Sequence, residues 1–229
     1  MRSETPSQGA VKIRDMQKAA LQVSPGRRIK QARGRKTYDA LIATGFKLLE
    51  HEEFESITIA ELAKAAGYSV GAFYARFHSK DEFFDAMIAH HLEHRTRTRD
   101  RLLATISNDK LINELIKELV GYYWKRRRFW RAALIRSIRD PDFWEPIRQH
   151  GHELANRLIA RMSKHAEREL TPREEMNVRF AFQIVLGTIN NAIINSPGPI
   201  FLGQALFIEN LARAFRVVSD YDDLVGIGS

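Results

Sequence analysis

The residues from Gly67 to Phe83, GYSVGAFYARFHSKDEF, bring together side chains suited to holding a polyanion. Tyr74 carries a hydroxyl on a rigid ring, able to donate to a phosphate oxygen, and Arg76 and Lys80 add positive charge. Gly71 removes a side chain where backbone and phosphate could come close. Ser79 opens a helix whose first amides favour an anion. Such contacts fix position, whereas sequence is read at base edges. Ser69, Val70 and Ala72 come first along the segment, and Val70 and Ala72 offer apolar contact of the kind a thymine methyl accepts. The chemistry indicated is recognition of double-stranded nucleic acid.

An eight-residue piece, Val70 to Phe77, is too short to persist as a helix in water. Phe73 and Phe77, four apart, share one face and predict how it is held: both rings dock into a core with Leu41, Leu48, Phe54 and Ile57, each contributing roughly 1.5–3 kcal/mol. The preceding helix opens with a capping box, Thr58-Ile59-Ala60-Glu61, and ends at Ala66, where Gly67 supplies the left-handed exit. Helix, glycine turn and second helix form a helix-turn-helix, which lays its second helix in the major groove. A helix from Thr37 to about Glu50 precedes it, with Thr37 as its cap. Ser79-Lys80-Asp81-Glu82 is a second capping box opening a long helix through His91.

Further along, Leu111 to Tyr123 and Phe129 to Ile138 predict two helices, and Asp140-Pro141 starts another through Met162. Thr171-Pro172 begins a helix reaching Asn195. A last one spans 203–218, and with no internal repeat the fold class is all-α, about nine helices. The expected domains are a basic arm at 1–36, a helix-turn-helix head at 37–83, a helical body at 84–219 and a tail at 220–229.

Charge is unevenly placed. Residues 1–36 hold ten Lys or Arg against two acids, the whole +8 of the chain, while the remainder balances 26 basic with 26 acidic side chains. A basic arm on a neutral globule suggests a polyanion reached by the arm, although a solubilising tail has the same composition.

Residues 37–83 resemble the DNA-binding domain of the TetR family of bacterial transcriptional repressors. The carriers are TIAELAKAAG at Thr58 to Gly67, then Ser69, Gly71, Phe73, Tyr74 and Phe77, and Ser79-Lys80-Asp81-Glu82. Tyr68, Val70, Arg76 and His78 depart from the residues usual there, which bears on which operator is read. The DNA-contacting set expected from motif and resemblance is Arg33, Arg35, Lys36, Thr58, Ser69, Val70, Gly71, Ala72, Tyr74, Arg76 and Lys80. The resemblance further implies a homodimer through the helices at 172–195 and 203–218, a palindromic operator, and release by a small molecule entering the body. Those two helices are apolar on more than one side, as a dimer face or the centre of a large core requires, with Gly187, Ala192, Ala205 and Ala212 available for close packing. The candidate effector walls are Tyr122, Tyr123, Trp124, Trp130, Phe143, Trp144 and Phe182, whose character favours an apolar or aromatic ligand. Control by a protein partner, with no small ligand, is the alternative; its hallmark is a filled core.

Catalysis is not expected. The chain has no cysteine, no phosphate-cradling glycine loop, and a His152-Glu153-Leu154-Ala155-Asn156 run lacking the second histidine of a zinc protease. His90 and His94 have the spacing of a metal pair without a third ligand, so no metal or cofactor is expected. The run Lys125 to Arg128 suits a helix end and solvent. The longest apolar tract, Phe180 to Ile194, is broken by Gln183, Thr188, Asn190 and Asn191. Neither a signal peptide nor a membrane span is expected, which fits the cytoplasm.

Overall fold

Helix α1 (Pro25–Leu48) runs through Thr37 instead of starting there. Arg, Lys, Gln and Ala between residues 27 and 36 are good helix formers, and one glycine, Gly34, costs only about 1 kcal/mol. Thr37 is buried mid-helix, so the expected boundary between arm and head is not a structural break. The computed structural model describes residues 25–227, with side chains from residue 34 onward; residues 1–24 of the expected arm, and the Arg33 side chain, lie outside the described residues.

The head continues with α2 (Ile59–Ala65) and α3 (Val70–Tyr74). Both halves of the Thr58–Glu61 box form: the Glu61 N–H donates to Thr58 Oγ1 at 3.2 Å and the Thr58 N–H to the Glu61 carboxylate at 2.9 Å. After α2 the chain turns at Gly67, whose φ of +78° explains the glycine. Ser69 Oγ accepts the Ala72 N–H at 3.2 Å and caps α3. Helix α4 (Lys80–Thr105) is capped by Ser79, but Glu82 does not close a box on Ser79. Its carboxylate instead accepts the His78 N–H and meets the His78 ring, and these bonds hold its pKa below the ordinary value.

The body comprises α4, α5 (Asn108–Lys125), α6 (Arg127–Arg139), α7 (Glu145–His165), α8 (Pro172–Ile194), α9 (Ala205–Ser219) and α10 (Tyr221–Leu224). Pro141–Trp144 is a 3-10 turn, so the helix expected from Pro141 begins at Glu145. Every regular element among the described residues is helical, ten α-helices in all. Helices α8 and α9 pack against each other, with Phe182 and Phe215 edge to face at 4.9 Å. Residues 220–227 are not a loose tail: Tyr221 and Val225 are buried, and the Tyr221 hydroxyl donates to the Asn108 carbonyl at 3.0 Å. Among the described residues no helix is long and apolar enough to cross a membrane.

Head and body meet along α6. At one end Arg128 donates to the Glu50 carbonyl at 2.6 Å and pairs with Glu53 at 3.3 Å. At the other, Arg136 donates to the Asp81 carbonyl at 2.8 Å and pairs with Asp85 at 3.0 Å. Rings fill the space between, with Phe129 5.1 Å from Phe46 and 5.3 Å from Phe84.

Candidate nucleic-acid interface and effector residues

Phe73 and Phe77 are buried as expected, in a knot of rings with Tyr38 and Phe83 at centroid distances of 5.2–5.6 Å. That fixes the opposite face of α3 outward. Val70 is 41% and Tyr74 52% exposed, with Ser69 and Gly71 exposed and Ala72 partly so. A Cβ at Gly71 would meet nothing nearer than Ser69 Oγ at 3.8 Å, so that glycine is free to face a partner. Thr58 is exposed at the start of α2, and Arg35 and Lys36 are exposed on α1, Arg35 3.9 Å from Asp39. Polar, cationic and small groups are thus exposed on α1, at the start of α2 and on α3.

Two of the expected phosphate contacts, Lys80 and Arg76, also meet backbone carbonyls. The Lys80 stem lies over Phe54, its ammonium 4.5 Å from the ring centroid and donating to the Phe54 and Glu55 carbonyls; desolvation there holds its pKa below the ordinary lysine value. Arg76 donates from Nε to the Gly34 carbonyl at 3.1 Å and from Nη1 to its neighbour Ala75 at 2.9 Å, tying α3 to α1. Spacing alone does not reveal those carbonyls, which lie far away in sequence.

The expected effector residues divide among three places. Tyr122, Tyr123, Trp130, Phe143 and Trp144 belong to an aromatic stack around α4–α6: Tyr123 lies on Trp130 at 4.5 Å, Trp130 is 6.3 Å from Trp144, and Phe143 is 6.0 Å from Phe84. Phe182 belongs instead to the α8–α9 seam. Trp124 turns outward, exposed, with the Arg127 guanidinium 4.6 Å over its ring.

The stack also encloses a polar group that the sequence reading missed. Arg95 and Glu118 form a two-point ion pair, and the Tyr122 ring lies between Arg95 at 4.3 Å and Arg126 at 4.6 Å. The Tyr122 hydroxyl bonds to buried His91. Arg95 and His91 are four apart on α4, and Glu118 and Tyr122 four apart on α5; that matched spacing was the available signal. Trp130 Nε1 is buried in the same stack without a hydrogen-bond partner. His90 and His94 lie ring to ring at 4.2 Å, and no group of three metal-ligating side chains occurs among the described residues.

Burial, reinforced by Arg95 and Arg126, pushes the pKa of His91 down to about 2, and burial with Arg99 takes His150 to about 4. Both stay neutral in the folded protein where the unfolded chain, near 6.5, takes up protons. The unfolded state then binds more protons, so acidification below pH 6.5 costs stability, about 1.4 kcal/mol per pH unit for His91. The carboxylates with lowered pKa, such as Glu174 beside Arg168 at about 2, lose their contribution only below the unfolded carboxylate range. Urea melts at pH 5 are therefore expected to give about 2 kcal/mol less stability than at pH 6.5 from His91 alone, and His91→Leu should flatten the slope. Equal stabilities would mean that His91 charges within the fold.

A short helix-turn-helix head joined to a longer bundle defines a two-part, all-α helix-turn-helix protein. Residues 41–87 match the sequence pattern of bacterial regulatory proteins, tetR family. An uncharacterized HTH-type transcriptional regulator, YwcC of Bacillus subtilis strain 168, is 31% identical over 83 residues, 36% of this chain and 34% of that one. The match thus spans about a third of the curated relative's length. A transcriptional regulator from Cytophaga hutchinsonii ATCC 33406 superposes with a TM-score of 0.62 at 15% identity, over 82% of this chain and 96% of that one. A TetR transcriptional regulator from Rhodococcus sp. RHA1 superposes with a TM-score of 0.51 at 16% identity, over 86% and 99%. These two likenesses concern the fold. The sequence likeness to the tetR family of bacterial regulatory proteins thus lies in the head, at residues 41–87.

Proposed function

We propose that the chain is a dimeric transcriptional regulator, a repressor that binds a palindromic DNA operator through α3 and is released by a small apolar or aromatic molecule. The observation that carries the DNA reading is the division of α3: Phe73 and Phe77 moor it, and Val70 and Tyr74 stand out from it. Tyr74, Thr58, Arg33, Arg35 and Lys36 hold phosphates, while Ser69, Val70 and Ala72, with Gly71 allowing close approach, meet base edges. Two copies join through α8 and α9. Exposed Met176, Phe180 and Ile194 on α8 and Leu206 and Val217 on α9 support that face; Gly187 and Ala205 are exposed beside them, whereas Ala192 and Ala212 pack inside the chain. Two-fold symmetry makes the operator palindromic.

Tyr74→Phe removes one phosphate donor, so operator affinity is expected to fall by about 0.5–1.5 kcal/mol equally across operator variants. Val70→Ala should instead change which variants are preferred. Binding titrations against a panel of operator variants distinguish the two, and the reverse pattern would exchange the roles of these residues. A second reading, regulation by a protein partner, is favoured by the tight packing of Tyr123, Trp130 and Phe182, which are all buried.

A further inference from the structure

Below the head, the first turn of α6, the end of α5 and the loop after α8 enclose an open cavity of about 450 Å³. Ile193, Phe201 and Leu202 form its apolar wall, and exposed Trp124 also lines it. The wall is built. Gly203 has a φ of +96°, and a Cβ there would stand 3.0 Å from the indole, so glycine lets the loop lie against Trp124. Phe201 is set by its own N–H, which donates to Gln204 Oε1 at 2.8 Å.

The cationic side of the cavity consists of Arg127, Arg128 and Arg131. Arg128 is already paired with Glu53, the one carboxylate lining the cavity. Arg127 reaches the Trp124 ring and its carbonyl, and no carboxylate among the described residues pairs with Arg127 or Arg131. Residues 127 and 131 are four apart and so share a helix face. Two uncompensated guanidinium groups beside an apolar, aromatic wall match a flat organic acid: the fork geometry of arginine suits a carboxylate, and the rings suit an aromatic body. The volume is that of a small-molecule site.

We propose that this cavity binds an aromatic organic anion, its carboxylate on Arg127 and Arg131 and its ring system against Trp124, Phe201 and Leu202. The assignment deepens the proposed effector response by giving the effector a charge and moving it out of the packed stack. Binding itself does not depend on that response.

The test is calorimetric titration of the full chain with 2-naphthoate, with 2-naphthamide as the neutral isostere. Naphthoate is expected to bind, the amide to bind at least about tenfold more weakly, and Arg127→Ala and Arg131→Ala each to weaken naphthoate about tenfold to a hundredfold. Neither arginine makes the Glu50 and Glu53 contacts, which belong to Arg128, so the fold should persist, as melting checks. Equal binding of acid and amide, no binding of either, or binding indifferent to both substitutions would overturn the proposal. So would the finding that the two substitutions leave naphthoate untouched but lower the salt dependence of operator binding, since the arginines would then belong to DNA. If naphthoate binds with the expected arginine dependence yet leaves operator affinity unchanged, the site stands and the effector reading fails.

Discussion

Replacing Phe77 by alanine is expected to cost about 3–5 kcal/mol of stability and to abolish operator binding. The ring touches Tyr38, Phe73 and Phe83, rings contributed by α1, α3 and α4, so its loss leaves a cavity where three helices converge. Helix α3 is five residues long and has no stability of its own; without its moorings the outward face of Val70 and Tyr74 has no fixed orientation. A domain of ordinary stability, about 5–15 kcal/mol, can remain folded after such a loss. Denaturant melts followed by operator titration check both halves. Phe77→Leu, which keeps more of the volume, is expected to cost less than the alanine change. A cost below about 1 kcal/mol for Phe77→Ala would show that something else holds α3.

Phe180→Asp is expected to separate the dimer and to weaken operator binding by about a hundredfold or more, because two linked heads bind their half-sites with a large effective concentration and one head does not. Met176 is 63% and Phe180 51% exposed, one helical turn apart on α8, and Val217 on α9 is 71% exposed. On a lone chain these apolar groups would sit in water, while in the proposed dimer they would be covered. A buried unpaired carboxylate is costly enough to undo such a contact, whereas on a free surface it would cost almost nothing. Sedimentation at micromolar concentration, with circular dichroism to confirm the helices, reads the outcome. A variant that stays dimeric would move the interface away from this part of α8.

The head was largely legible because its determinants are local. The Thr58 box, the Gly67 exit, the Ser69 cap and the four-residue spacing of Phe73 and Phe77 each lie within a few residues of what they control. The start of α1 was misread for the same reason: Thr37 looks like a cap locally, but it is buried mid-helix, and good helix formers precede it. The partners of Lys80 and Arg76 were not legible because the Phe54 and Gly34 carbonyls are 26 and 42 residues away. The body was less legible. Aromatic density between Tyr122 and Trp144 marked the right region, yet nothing in the spacing separated inward Trp130 from outward Trp124. The matched spacing of His91 with Arg95 and of Glu118 with Tyr122 hinted at a pairing, but that Arg95 and Glu118 meet across 23 residues depends on how α4 and α5 cross.

The two arginine contacts of α6 constrain how the head can move. Arg128 and Arg136 grip it from opposite sides, one at the loop after α1 and one at the first turn of α4. They stand about 12 Å apart along the helix. A body held at two points on a line cannot slide across that line without breaking a grip, but it can turn about it. Helix α4 runs unbroken from the head into the body, so any swing of the head about α6 must carry the first turns of α4 with it.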